Sequence, residues 1–253
     1  CVKDEDKKLF YHLYNKHVFE NGNKAYLTER HLEVSPILID LDFRHSMSQF
    51  SERQYTQDFI IKFLEIYSEK LCKMVPTVDK KKIVGFVLEK DTPNFPGGNG
   101  VFKDGIHIIF PYLVTEPSVQ YLLRYQMLND TNVVELLKSI NVKNPADDVF
   151  DIAVIERNNW QMFGSRKPNN QCYKLSNIYK LNGSSMKKVK NDFSNQDLSK
   201  LLSIRNIKDE NIINKEMLIE NFAEAYADIP KPQKEKKKKK ITSKKMKSPI
   251  KKN

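Results

Sequence analysis

Hydrophobic and polar positions change their period several times along the chain, and each change predicts an element. In "ILIDLDF" (37–43) they alternate: Ile39, Leu41 and Phe43 point one way, Asp40 and Asp42 the other, the period-two signature of a strand. After a polar turn, "QYTQDFIIKFLEIYSEKLCKMV" (54–75) carries Phe59, Phe63, Ile66 and Leu71 at helical spacing. "KIVGFVLEK" (82–90) predicts a second strand, and the Gly-, Pro- and Asn-dense "DTPNFPGGNGVFKDG" (91–105) a loop. "IHIIFPYLV" (106–114) predicts a third strand, in which His107 alternates away from Ile106 and Ile108. Thr115-Glu116-Pro117 marks a helix start, because proline is tolerated in a first helical turn. Thr131 is expected to cap a further helix, "NVVELLKSI". "DDVFDIAVI" (147–155) then leads into the chain's single Trp and a polar tract, "ERNNWQMFGSRKPNNQ" (156–171). Two helices are expected to close the domain. One starts at Ser194 with Asp197 at capping-box spacing, and the other runs through "KEMLIENFAEAYA". Strands and helices mixed in this order imply an α+β fold.

Composition narrows the class. With 253 residues, 40% of them hydrophobic, and 14 Phe and 11 Tyr, the chain has apolar material for one large domain or two small ones, and residues 1–229 are taken as one domain. No run of 18 uncharged apolar residues exists, so no membrane span is expected. The opening "CVKDEDKKLFYH" has neither an initiator Met nor an apolar signal region and reads as an excerpt of a longer intracellular polypeptide. Cys1, Cys72 and Cys172 are far apart, with no C-x-x-C, which disfavours a disulfide framework or a zinc ribbon and fits a reducing cytosol or nucleus.

The net charge of +11 suggests nucleic acid until it is located. From Pro230 to Asn253 there are 12 Lys against one Glu, leaving the first 229 residues with no net charge. Residues 230–253 therefore read as a Lys-rich disordered linker or tail, with a nuclear-import signal or a phosphate-binding arm as alternatives. The folded part must work by local arrangement.

The local arrangement begins with Asp40 and Asp42. Two residues apart on one strand face, their Cα atoms are roughly 6.5–7 Å apart, and like charges at that range repel unless a cation joins them. Hard carboxylate oxygens suit Mg²⁺ or Mn²⁺. The bland alternative is a strand edge with two solvated acids. Ile37, Leu38, Leu41 and Phe43 around them mark the strand as central, which favours a metal site. D-x-D after an apolar strand also occurs in haloacid-dehalogenase-type phosphatases and in glycosyltransferases. Phe43-Arg44 after the second acid disfavours the former, and glycosyltransferases place the motif at a loop end. His107 alone reads as a hydrogen-bonded structural histidine. Asp151 is another acid in an apolar stretch, and Gly164-Ser165-Arg166-Lys167 offers backbone N–H groups, a hydroxyl and two cations to an anion.

In order and spacing, "ILIDLDF", "GIHIIFP", "FDIAV" and "NNWQMFGSRKPN" resemble the three motifs of archaeo-eukaryotic primases. The last tract is similar to the branch found in large DNA viruses and in eukaryotic primase-polymerases. The resemblance covers roughly residues 10–180. It implies an RRM-like catalytic sheet with an N-terminal α/β unit and a helical C-terminal closure. It also implies that Asp40, Asp42 and Asp151 are the catalytic, metal-binding acids for two divalent ions, Mg²⁺ or Mn²⁺. His107, Ser165, Arg166 and Lys167 would contact the nucleotide. Where relatives carry an Arg in the third tract, Asn159 and Gln161 stand here, and Arg157 is taken as a substitute. Trp160 is read as core. Gly97, Gly98 and Gly100 precede Lys103 without the G-K-[ST] of a P-loop, so no ATPase is expected in this segment. The implied activity is metal-dependent nucleotidyl transfer on a single-stranded DNA template, using NTP or dNTP. The implied setting is a primase-helicase with its helicase domain in the same polypeptide, at a viral replication site in cytoplasm or nucleus. The alternatives are a non-catalytic module that binds nucleic acid or recruits a helicase, and a metal-dependent nuclease or phosphoesterase.

Overall fold

The computed structural model describes residues 2–95 and 100–230. The Lys-rich tail from Lys231 on and the loop glycines Gly97 and Gly98 lie outside the described residues. In chain order the elements are α1 (Lys7–Asn15), β1 (Thr28–Glu29), β2 (Ser35–Ser46), α2 (Gln57–Met74), β3 (Val84–Glu89), β4 (Val101–Thr115), α3 (Pro117–Leu128), α4 (Thr131–Ser139), α5 (Ala146–Val149), β5 (Trp160–Gln161), β6 (Lys174–Asn182), β7 (Ser185–Val189), α6 (Asn195–Leu201) and α7 (Phe222–Ala227).

The fold is α+β. Five strands form one sheet in the order β2-β4-β3-β6-β7, every neighbouring pair antiparallel, and β1 pairs with β5 in a separate two-stranded ribbon. Both faces of the large sheet are covered, which explains why its strands are so apolar. On one face Ile37, Ile39, Leu41 and Phe43 of β2 pack with Phe59, Phe63 and Tyr67 of α2 and with Leu122 of α3. On the other, Leu38, Phe86, Leu88 and Ile109 meet Trp160, Phe163, Leu198 and Leu202. Leu38, Asp40 and Asp42 share this second face by strand alternation, so its apolar cover gives way to carboxylates within one strand.

The expected helix over 54–75 forms as α2, capped by the Thr56 hydroxyl, which accepts from Phe59 N. The expected capping box at Ser194 and Asp197 is present. Several expectations are corrected. β2 is an edge strand of the sheet rather than a central one. It looks central in sequence because its outer edge is covered by a later segment, described below. The loop expected over 91–105 ends early: β4 starts at Val101, because the long β2 pairs it as far as Ser46–Val101. The cap of α4 is Asp130 rather than Thr131, its carboxylate accepting from Asn132 N at 2.8 Å while it pairs with Lys70 Nζ at 2.6 Å. The charged carboxylate suits the positive end of a helix better than a hydroxyl.

The helix expected through 215–227 is broken into a 3₁₀ turn at Lys215–Met217 and the short α7. Between them the backbone is extended at Leu218, and Ile219 N donates to Met74 O at 3.0 Å, satisfying a carbonyl at the end of α2. The β6–β7 hairpin was not anticipated, although its Asn182-Gly183 turn dipeptide lies between alternating segments.

Candidate active site: three carboxylates beside a lysine-lined cavity

β2 presents Asp40 opposite His107 and Asp42 opposite Gly105 of β4. Asp151 arrives from a strap, residues 143–151, laid along the free edge of β2. Lys143 N donates to Arg44 O at 2.8 Å, and Asn144 accepts from Arg44 N and donates to Asp42 O, both at 2.9 Å. Leu41 and Phe150 form a bridge, and Asp151 N donates to Asp40 O at 2.9 Å. Strand edges left bare are a liability; here the cover also carries the third acid. Arg124 of α3, 5% exposed, fastens the strap by donating to Phe150 O and Asp147 O, both at 2.7 Å.

Ligand oxygens of Asp40, Asp42 and Asp151 all lie within 4.8 Å of one another. Asp151 also accepts from Ala153 N at 2.8 Å, which orients its carboxyl. Asp40 Oδ1 is buried and has no hydrogen-bond partner; His107 Nε2 lies 3.5 Å away. A buried, unsatisfied carboxylate oxygen inside a cluster of like charges is costly. The donor set is all oxygen, so the residues fit a hard divalent cation. Burial pushes the Asp40 carboxyl well above its ordinary range, reinforced by Asp42 and Asp151 and opposed by Lys167 and Lys90. Asp42 is raised too, by burial first and then by Asp151.

Burial, with Lys90 and Lys167 nearby, pushes His107 well below its ordinary value, so the imidazole is neutral. Its ring stacks on Tyr173 with centroids 3.6 Å apart and touches Trp160 at 4.6 Å. Position 105 must be small. A Cβ there would lie 2.7 Å from Leu41 O and 3.1 Å from Tyr173 Oη. Beside the triad is a cavity of about 310 Å³ whose lining includes Lys90, Lys103, Lys167, Gln161 and Tyr173.

The structure thus brings together Asp40, Asp42, Asp151, His107 and Lys167. The other sequence-derived candidates are placed elsewhere. Ser165 is buried, its hydroxyl shared between Tyr14 Oη at 2.9 Å and Leu27 N at 3.2 Å. Arg166 hydrogen-bonds Ala25 O through its backbone N–H at 2.9 Å, and its guanidinium reaches Cys172 Sγ at 3.7 Å. Arg157 is exposed and near enough to Tyr121 to act on its hydroxyl electrostatically. Trp160 is core, 3% exposed. Lys90 and Tyr173 were not singled out from sequence, because their place in the cavity depends on strand order and on the undetected β6.

Fold and site together define a class: an α+β domain with a carboxylate triad beside a cavity of about 310 Å³ lined by several lysines. The family model described as "C962R protein N-terminal AEP domain" matches residues 1–179, and the chain belongs to this family of archaeo-eukaryotic primase domains. It is 32% identical over 169 residues to "Putative helicase L207/L206" of Acanthamoeba polyphaga mimivirus, covering 67% of this chain and 17% of that protein. It is 28% identical over 189 residues to "Putative helicase 184R" of Invertebrate iridescent virus 6, covering 67% of this chain and 19% of that protein. The chain therefore spans less than a fifth of the length of these relatives. Among the described residues no helix is long and apolar enough to cross a membrane.

Proposed function

We propose that residues 1–229 form one domain that catalyses metal-dependent nucleotidyl transfer on a single-stranded DNA template, making or extending primers from NTP or dNTP. The observation that carries this reading is the triad itself, with the partnerless Asp40 Oδ1 within 4.8 Å reach of Asp42 and Asp151 and lysines lining the adjoining cavity. Asp40, Asp42 and Asp151 are the residues that would hold two divalent ions. When bound, Mg²⁺ or Mn²⁺ lowers the cost of activating the primer hydroxyl and of charge on the leaving pyrophosphate.

The chain's own residues do the rest. Lys167 supplies positive charge to the nucleotide's phosphates. Neutral His107, held between Tyr173 and Trp160, offers a ring nitrogen beside Asp40 without adding charge. Ser165 supports the turn before Lys167 through its bond to Leu27 N, a positioning role in place of direct contact. Arg157 and Arg166 are left for the template or the nucleotide's periphery. The helicase-named relatives support a setting in which this domain precedes a helicase in one polypeptide at a viral replication site, with the Lys-rich tail as the connection.

The test is primer synthesis and extension on single-stranded DNA with Mg²⁺ or Mn²⁺, comparing wild type with Asp40→Asn and Asp42→Asn. Template-dependent products that vanish in both variants are expected. Products that persist in both overturn the metal-site assignment, and degradation of the template in place of synthesis supports a nuclease.

A further inference from the structure

The cavity contains a cation that no motif accounts for. Lys90 directly follows β3 and reaches the cavity beside Asp40 and Asp42 from the far side of β4. Its ammonium feels Asp42 and Asp40 electrostatically, yet no ion pair ties it to either among the described residues. It is held in another way. Lys90 Nζ lies 4.6 Å from the centroid of the Tyr173 ring, and that ring is itself stacked on His107 at 3.6 Å. Ring faces attract cations, more strongly where water is excluded.

The backbone beneath Lys90 is fixed as firmly. Lys90 O accepts from Arg53 Nη2 at 2.7 Å, while the same guanidinium binds Asp104 at 2.8 Å and Glu89 at 3.1 Å. Arg53 thereby clamps the end of β3 to β4, and the carboxylates of Asp104 and Glu89 accept from Arg53 rather than from Lys90. Lys90 is left as a cation with its stem anchored and its donors uncommitted, facing a space where three carboxylates would gather metal and phosphate.

We propose that Lys90 is a second lysine for the phosphate tail of the incoming nucleotide, opposing Lys167, with the Tyr173 ring as its platform. This deepens the nucleotidyl-transfer reading and rests on it. Lysine acts toward phosphate as a compact point charge with three rotatable donors. A contact made to the tail before and during transfer contributes mainly to nucleotide binding.

The test measures KM and kcat for one nucleotide in primer extension, together with direct titration of the wild-type protein and variants with a fluorescent nucleoside triphosphate and Mn²⁺. For Lys90→Ala, KM and the binding constant should each rise about tenfold, the effect of losing one charge-assisted hydrogen bond, with kcat changed by about threefold or less. Lys90→Arg should recover most of the loss. Tyr173→Leu should weaken binding in the same direction, and Lys187→Ala on exposed β7 should leave both constants at wild-type values. Thermal melting of each variant checks that the fold is retained.

Wild-type activity with a Lys90→Ala KM within about twofold of wild type overturns this inference alone, as does a loss that Lys90→Arg fails to recover in a folded protein. A wild-type protein that neither extends primers nor binds the nucleotide removes the underlying reading, and this inference with it.

Discussion

Asp40 holds the least comfortable oxygen in the structure: buried, without a hydrogen-bond partner, and within reach of two more carboxylates. Such a group stores repulsion that a cation or a proton relieves. Asp40→Asn should therefore raise the melting temperature of the metal-free protein, by about 2–4 °C for each kcal/mol relieved in a domain of this size, while abolishing synthesis. Wild type should gain further stability from added Mn²⁺, and Asp40→Asn should gain little. Differential scanning calorimetry with EDTA and with Mn²⁺ reads both effects; a metal-free variant less stable than wild type would contradict them.

A further acid with a raised pKa, the half-buried Glu29, lies outside the site. Burial pushes Glu29 up to about 7, although the Ser203 hydroxyl and Ile204 N donate to it. Between its ordinary value of 4.5 and about 7 the folded protein keeps a proton that the unfolded chain has released. Its contribution is thus complete below the unfolded value and is lost as pH rises through about 7. Urea unfolding from about pH 5 to about pH 8 should show stability falling more in wild type than in Glu29→Gln.

Elements, rather than single residues, decide whether the triad assembles. Arg124 helps hold the strap against β2 by fastening Phe150 and Asp147 from below, and its guanidinium also lies 5.7 Å from the Phe150 ring. Arg124→Ala should lower unfolding free energy by about 1–3 kcal/mol, with synthesis reduced further as Asp151 loses its register against β2. Arg124→Lys should not restore it, because an ammonium lacks the planar fork that serves two carbonyls at once. Urea denaturation and extension rates separate the two effects.

At this scale one can also see what the sequence disclosed. Periodicity located β2, β3, α2 and the body of β4, and the D-x-D alternation put both acids on one face. It could not reveal that β2 is an edge, since a strand covered by a strap has the same apolar pattern as one paired on both sides. Ser165 looks like an anion ligand in sequence because its hydroxyl adjoins Arg166 and Lys167. Its hydroxyl turned inward to Tyr14 and Leu27, a partner choice made by segments more than a hundred residues away. Lys90 was invisible for the converse reason: it is an ordinary polar strand end until β3 is laid beside β4.

For the molecule as a whole, the separation of charge matters. The first 229 residues carry no net charge, while the excess positive charge of the sequence lies in residues 230–253. Membership of the archaeo-eukaryotic primase family fits a chemistry concentrated in one cavity. The strap has a further meaning for how that cavity comes into being. Asp151 is joined to Asp40 by a single backbone hydrogen bond across more than a hundred residues of chain, so the three carboxylates are gathered only while the strap stays docked on β2. Its amide proton is a built-in reporter: hydrogen exchange at Asp151 should track the lifetime of the assembled triad, and opening of the strap alone would extinguish catalysis in a molecule whose sheet remains intact.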